Sequence, residues 1–263
     1  MCGIFGFMLS KTVPISMVFG VLEKLEVHQY PQEPNPLGGY GAGLAVLLDD
    51  GSVISDKVGK DDGSPASRLA GIWGSKVREA SVLVSHVRMP SPEFMNSASL
   101  KETAQPYVVR FDPSLTIVSV HNGKVENYEK LRAGFGKKHA FESENIQLID
   151  SEIIPHYFEE LLNETEDVDE ALSELLCRLQ GSNTVSMLQV RGQSSFMHLV
   201  HKGKTRGLVV WANDRSEVVF CSRKEVLTDE FHKVLAQGNF KIEASIKYHE
   251  EATLRLSFSR ELK

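Results

Sequence analysis

Cys2 stands directly behind Met1 in the run Met1-Cys2-Gly3-Ile4-Phe5-Gly6. An initiator methionine is removed when the next side chain is small, so the mature chain is expected to begin with a cysteine bearing a free α-amine. Thiol nucleophile and weak base would then sit on one residue, with no partner side chain needed for activation. The alternative is a buried cysteine in a first strand. A cysteine that opens an amide also needs oxyanion donors and groups that orient the substrate. For an amino-acid substrate these are a cation for the α-carboxylate and an anion for the α-ammonium.

The chain offers a candidate for each. Ser85-His86-Val87-Arg88 ends an apolar segment and runs into Met89-Pro90-Ser91-Pro92. A guanidinium there can grip a carboxylate with two parallel hydrogen bonds, or form a surface ion pair. His121-Asn122-Gly123 follows the strand-like run 115–120. Asn-Gly is a turn signal, yet the Asn122 carboxamide and the Gly123 N–H are also a possible donor pair for an oxyanion. Asp150-Ser151-Glu152 opens a helical pattern, where Asp150 can cap the helix or hold an ammonium. Gly38-Gly39-Tyr40-Gly41-Ala42-Gly43 reads as a turn before a strand, or as a glycine-rich wall for the N-terminus.

The elements that must carry these residues can be read from periodicity. Strands are predicted at about 2–8, 42–48, 52–58, 80–87, 115–121, 184–190, 195–202, 207–212 and 217–221. Helices are predicted at about 12–27 (capped by Thr12), 65–78 (Pro65 in first position), 125–135, 150–163, 167–179 and 222–236. Pro155 should delay or kink its helix. Residues 29–41, with Pro31, Pro34 and Pro36, form a loop. At the C-terminus Phe240, Ile242, Ala244, Ile246 and Tyr248 alternate with polar residues, and Leu254, Leu256 and Phe258 repeat the pattern. That predicts a β-hairpin with one buried face. The strands come in runs with helices clustered between them, without βαβ alternation. An α+β fold of antiparallel sheets covered by helices is expected.

Composition limits the function classes. A chain of 263 residues at net charge −6 argues against nucleic acid or an anionic membrane as partner. Cys2, Cys177 and Cys221 fit neither a disulfide framework nor a zinc pattern, which suggests a reducing compartment. The apolar start lacks a basic region and is broken by Lys11, unlike a signal peptide. No stretch reaches the roughly 18 consecutive apolar residues of a membrane span. A cytoplasmic protein without bound metal or cofactor is expected.

Taken in order, Cys2-Gly3-Ile4, Gly41-Ala42-Gly43, His86-Val87-Arg88, His121-Asn122-Gly123 with Glu126-Asn127, and Asp150-Ser151-Glu152 resemble the class II, N-terminal-nucleophile glutamine amidotransferase domain. The likeness covers about residues 2–160 and extends loosely to about 228, through Trp211-Ala212-Asn213-Asp214 and Cys221-Ser222. It implies a four-layer αββα sandwich, two antiparallel sheets between helical layers, over 2–228, with 229–263 as a hairpin packed on the same domain. It implies Cys2 as nucleophile, and Asn122 and Gly123 as oxyanion donors. Arg88, Asp150, His86 and Met89 would form the glutamine-binding side, and residues 89–96 the loop that closes over it.

The resemblance has departures. Met89 stands where the family often has Trp, and Gln105-Pro106-Tyr107 where it has His-Pro-His. Leu37-Gly38-Gly39 lacks an arginine common before the glycine motif. The implied reaction is hydrolysis of the glutamine side-chain amide to glutamate and ammonia. About 35 residues follow the match, too few for a synthase domain, so a separate ammonia-acceptor subunit is the expected partner. A homo-oligomer is compatible with the sequence. Two other readings stay open: an amide hydrolase acting on another γ-glutamyl compound, and a module that keeps the fold without turnover.

Overall fold

A computed structural model describes residues 2–110, 114–135 and 139–261. The sequence opens on strand β1 (Gly3–Pro14), whose side chains alternate between two buried faces. Ile4 and Met8 point into one apolar cluster, Phe5 and Phe7 into another. That double burial is why the run reads as almost continuously apolar. Helix α1 (Ile15–Val27) follows without a side-chain cap, because β1 continues through Thr12 to Pro14. The predicted Thr12 cap is therefore incorrect: its hydroxyl donates to Glu79 instead.

Strands β2 (Gly41–Leu47) and β3 (Val53–Gly59), helix α2 (Pro65–Trp73) and strand β4 (Glu79–Val87) come next. Ser64 caps α2 by accepting the Ser67 N–H, with Pro65 in the first turn, as the Ser-Pro pair predicts. Two short 3-10 turns lead to β5 (Tyr107–Val109) and β6 (Leu115–Gly123). After the short helix α3 (Tyr128–Gly134) come α4 (Ile153–Thr165) and α5 (Val168–Arg178). Pro155 lies in the first turn of α4, where its missing N–H costs nothing. Strands β7 (Asn183–Arg191), β8 (Ser194–Lys204), β9 (Leu208–Ala212) and β10 (Val218–Cys221) precede helix α6 (Asp229–Gln237). The chain ends in β11 (Lys241–Ile246) and β12 (Glu251–Glu261).

The strands form a seven-stranded sheet, β11-β9-β10-β1-β4-β2-β3, and a five-stranded sheet, β12-β8-β7-β6-β5. Ladder pairs are antiparallel throughout. The sheets face each other through Val84, Val118, Val120, Leu188, Leu199 and Phe220. Helices α1, α2 and α6 cover the outer face of the larger sheet through Leu22, Leu69, Trp73 and Phe231. Helices α4 and α5 cover the smaller one through Phe158, Leu161, Leu172 and Leu175. This is the expected αββα sandwich, with two antiparallel sheets between helical layers.

The C-terminal expectation is overturned. Residues 241–261 do not pair as a hairpin: β11 joins the larger sheet beside β9, and β12 joins the smaller one beside β8. A register shift between Ile242 and Ala244 breaks the alternation on β11, since one extra residue reverses which face a side chain takes. Ala244 consequently packs between the sheets while Phe240 and Tyr248 pack on the outer core, and Ile242 is 56% exposed. The segment closes one edge of both sheets rather than lying on a finished domain.

Candidate active site

Strand pairing brings the first candidates together. Gly3 sits opposite Val87 in the β1/β4 ladder, so Cys2 and Arg88-Met89 leave neighbouring strand ends side by side. The Met89 N–H donates to the Cys2 Sγ at 3.4 Å, and the thiol reaches back to the Met89 carbonyl at 3.4 Å. The thiol is half-buried and lines a cavity of about 590 Å³. Met89, Pro90, Gly123, Lys124 and Arg206 line the same cavity.

Gly123 ends β6 with φ +135°, and a Cβ there would lie 2.1 Å from the Ser182 carbonyl oxygen. Only glycine suits that backbone and that close approach. Beneath it lies a buried polar network. Gln105 holds both backbone groups of His121: its Oε1 accepts the His121 N–H, and its Nε2 donates to the His121 carbonyl at 3.1 Å. His86 Nε2 meets the same carbonyl at 3.2 Å. Asn183 donates to the Gln180 and Gly181 carbonyls, so its Oδ1 faces His121 Nε2 at 2.9 Å. That nitrogen therefore carries the ring proton. Burial holds the His121 pKa below its ordinary value, so Nδ1 accepts from the Ser151 hydroxyl at 2.8 Å.

Asn122 is fully buried, and its carboxamide lies 2.9 Å from the Ser222 hydroxyl. Asp150 does not cap its own helix; its Oδ2 accepts the Val125 N–H at 2.8 Å. Burial raises its pKa, opposed by His121 and by the backbone N–H groups of Val125 and Ser151. Arg88 is buried and donates to the Thr103 hydroxyl at 2.6 Å. Burial lowers its pKa, while Tyr107, Cys2 and Asp150 act to raise it. Cys2, Arg88 and Asp150 thus sit close enough to feel one another's charge.

Cys2, Met89 and Gly123 are brought together on the cavity, with Arg88, Asn122 and Asp150 buried behind its wall. His86 is turned away from it, with burial lowering its pKa to about 3. It braces the His121 carbonyl, one residue before Asn122. The glycine motif does not wall the N-terminus either. β2 lies beyond β4 from β1, and a Cβ on Gly43 would come 2.1 Å from the Gln105 carbonyl oxygen. Sequence reasoning missed Gln105, Thr103, Ser151 and Ser222 as supports. Gln105 had a signal, as the residue standing where the family has histidine, and Ser151 and Ser222 stood inside motifs of the resemblance; Thr103 is an ordinary polar residue until the fold brings it to Arg88. Among the described residues no three His, Cys, Asp or Glu side chains gather as a metal site, and no helix is long and apolar enough to cross a membrane.

The family model of the glutamine amidotransferase domain matches residues 94–229, a span that contains Asn122, Gly123, Asp150 and Ser222. The glutamine–fructose-6-phosphate aminotransferase of Bacillus thuringiensis is 28% identical over 240 residues, covering 89% of this chain and 34% of the relative. That of Chlamydia muridarum is 30% identical over 183 residues, covering 69% of this chain and 26% of the relative. The chain thus spans about a third of the length of the curated relatives it matches. Glutamine phosphoribosylpyrophosphate amidotransferase from B. subtilis has the same fold over 100% of this chain and 49% of its own, with TM-score 0.62 at 16% identity. A glutamine aminotransferase class-II domain protein from Silicibacter pomeroyi aligns over 100% of both chains, with TM-score 0.50 at 12% identity. With more than half of its length matched to the family and its strands in the sandwich of these amidotransferases, the chain belongs to the class II, N-terminal-nucleophile glutamine amidotransferase domain family.

Proposed function

We propose that the domain hydrolyses the side-chain amide of glutamine, with Cys2 as nucleophile. The observation that carries this reading is the meeting of the Cys2 thiol and Gly123 on one cavity, with Arg88 and Asp150 buried beside the thiol. The Cys2 sulfur attacks the amide carbon and its proton passes to the residue's own α-amine. That amine is free once Met1 is removed; Met1 lies outside the described residues. The developing oxyanion accepts hydrogen bonds from the Asn122 Nδ2 and the Gly123 N–H. Proton return to the nitrogen expels ammonia and leaves a γ-glutamyl thioester. Water then cleaves the thioester, releasing glutamate and restoring the thiol. Arg88 pairs with the α-carboxylate and Asp150 with the α-ammonium.

The ammonia passes to an acceptor unit outside these residues. The relatives' names speak of fructose 6-phosphate and of phosphoribosyl pyrophosphate, and each is a candidate acceptor class. The cavity, at about 590 Å³ with Lys204, Arg206 and Glu126 on its outer wall, is wider than a free amino acid requires. That width favours, as a second reading, a larger γ-glutamyl amide.

Glutamate release from glutamine by wild type, Cys2→Ala and Cys2→Ser decides between these. Wild type should turn glutamine over, Cys2→Ala should not, and a diazo-ketone analogue of glutamine should add one covalent adduct that Cys2→Ala loses. Equal rates in wild type and Cys2→Ala would falsify the proposal. Faster turnover of bulkier γ-glutamyl amides would shift it to the second reading.

A further inference from the structure

The hydrogen bonds around Asn122 do not close in their simplest form. The Ser222 hydroxyl already accepts the Ile4 N–H at 2.9 Å, and the Ser222 N–H donates to the Ile4 carbonyl at 2.9 Å. With the Asn122 nitrogen also donating to Ser222 Oγ at 2.9 Å, two donors converge on one hydroxyl. The Ser222 proton then has no acceptor among the described residues, and the Asn122 Oδ1 is buried with no partner. A buried orphan acceptor beside an idle hydroxyl proton is costly. Carboxamide nitrogen and oxygen are isosteric, and the network decides which lies where. Turning the Asn122 amide by half a turn gives the Ser222 proton an acceptor and puts Nδ2, a donor, in the partnerless buried position that Oδ1 held. The Ser222 hydroxyl then donates to Oδ1 while still accepting from Ile4, and the unpaired buried groups are the N–H donors of Nδ2, which a substrate oxyanion would satisfy.

The geometry points to Ser222 as the positioning residue of the oxyanion hole: its hydroxyl holds the Asn122 oxygen so that Nδ2 is presented to the substrate. This deepens the function proposed above and rests on it for the substrate. One hydroxyl thereby joins the two catalytic strands across the sandwich. Ile4 lies two residues beyond Cys2 on β1, Asn122 lies near the end of β6 in the other sheet, and Ser222 directly follows β10. The hydroxyl thus sets the oxyanion donor against the nucleophile's own strand, although Ser222 itself touches neither substrate nor thiol in the reaction.

A glutaminase assay on Ser222→Ala, Ser222→Thr, Asn122→Ala and the double variant tests this. Ser222→Ala should lower kcat on the order of ten- to a hundredfold, part of the loss for removing a whole oxyanion donor, with KM for glutamine within about twofold. Ser222→Thr, which keeps the hydroxyl, should restore most of the rate. The double variant should be no slower than Asn122→Ala alone, because both changes remove one interaction. An unchanged kcat in Ser222→Ala, or losses that multiply in the double variant, overturns the inference and leaves the Cys2 reading standing. Nitrogen-15 spectra of the Asn122 carboxamide in the wild-type chain give a readout that needs no turnover. Nδ2 protons held against the Ser222 hydroxyl overturn the inference, and protons free of it support the inference. Wild type inert towards glutamine defeats the substrate reading alone, and the spectrum then decides the role of Ser222.

Discussion

The two strand ends that frame the cavity are built in opposite ways. At the end of β6, His121 is gripped through its N–H, its carbonyl and both ring nitrogens by Gln105, His86, Asn183 and Ser151. At the end of β4, the Arg88 guanidinium reaches the Thr103 hydroxyl, and the chain then runs through two 3-10 turns. The first of those turns carries the half-exposed pair Lys124–Glu93 at 3.0 Å, and its Glu93 carbonyl accepts from Gln147. The end assigned to the oxyanion is thus braced before substrate arrives, while the end assigned to gripping substrate combines buried bonds at Arg88, Thr103 and Ser97 with a solvent-screened pair at Glu93. Preorganisation serves the group that meets charge only in the transition state, and a yielding wall serves the step that admits and covers a ligand.

The sharpest way to break the contrast is Gly123→Ala. The added methyl would meet the Ser182 carbonyl at 2.1 Å on a backbone with φ +135°, so the turn must move and its N–H with it. Loss of kcat on the order of 10²–10³ is expected, read from steady-state glutamate release; a rate within tenfold of wild type would mean the Gly123 N–H is not an oxyanion donor. On the opposite wall, Arg88→Lys keeps the charge but loses the planar fork. It should act mainly on KM, by roughly ten- to a hundredfold, the range for losing a hydrogen bond to a charged group. A fall in kcat with KM unchanged would move Arg88 out of the binding role.

What could be read from the sequence follows the same division. Cys2, Arg88 and Gly123 announce themselves because each needs one residue type: a thiol, a forked cation, a backbone free of Cβ. The sandwich was legible because strands buried on two faces are nearly all apolar, as Gly3 to Leu9 are. His86 misled because a strand-end histidine reads the same whether its ring turns to a cavity or to a buried carbonyl. The register shift on β11 was invisible, since alternation in sequence says nothing about an extra residue in the ladder. Gln105 drew notice as a missing histidine, and only the fold reveals an amide that can serve one N–H and one carbonyl of the same residue.

Gln105→Ala therefore tests the clamped end directly. It leaves the buried His121 N–H without its acceptor, at a cost of about 1–3 kcal/mol. A lower unfolding midpoint together with a lower kcat and steady KM is expected; a stability loss with catalysis intact would separate the clamp from the oxyanion hole. Acid should act on His86 in the same network and on two rings buried elsewhere, His156 beside His139 and His198 beside Gln189. Burial lowers the pKa of His86 and of His156 to about 3 and that of His198 to about 4, from an ordinary 6.5. Below the ordinary value the unfolded chain takes up protons that the folded chain refuses, so stability is full above about pH 6.5 and drains as pH falls towards these depressed values. Each such ring contributes up to about 1.4 kcal/mol per pH unit. Denaturant unfolding at pH 7 and pH 5 should record the loss, and equal midpoints would show that these rings accept protons in the folded state.

The smallest effect is expected at the loose end. Glu93→Gln removes the charge that meets Lys124, a residue of the cavity lining, while keeping the Glu93 carbonyl that receives Gln147. An exposed pair of this kind contributes about 0–1 kcal/mol, so the unfolding midpoint should barely move. If the pair helps hold the turns over the ligand, KM should rise by no more than about fivefold. Wild type at high salt should behave like the variant at low salt, because screening removes the same attraction. The contrast with Gly123→Ala is then one of kind as well as size: one change is felt in the rate and ignores salt, the other in substrate capture and vanishes with it. A salt-independent fall in kcat from Glu93→Gln would show that the wall around residues 89–96 is as preorganised as the oxyanion turn, and the division of labour between the two strand ends would fail.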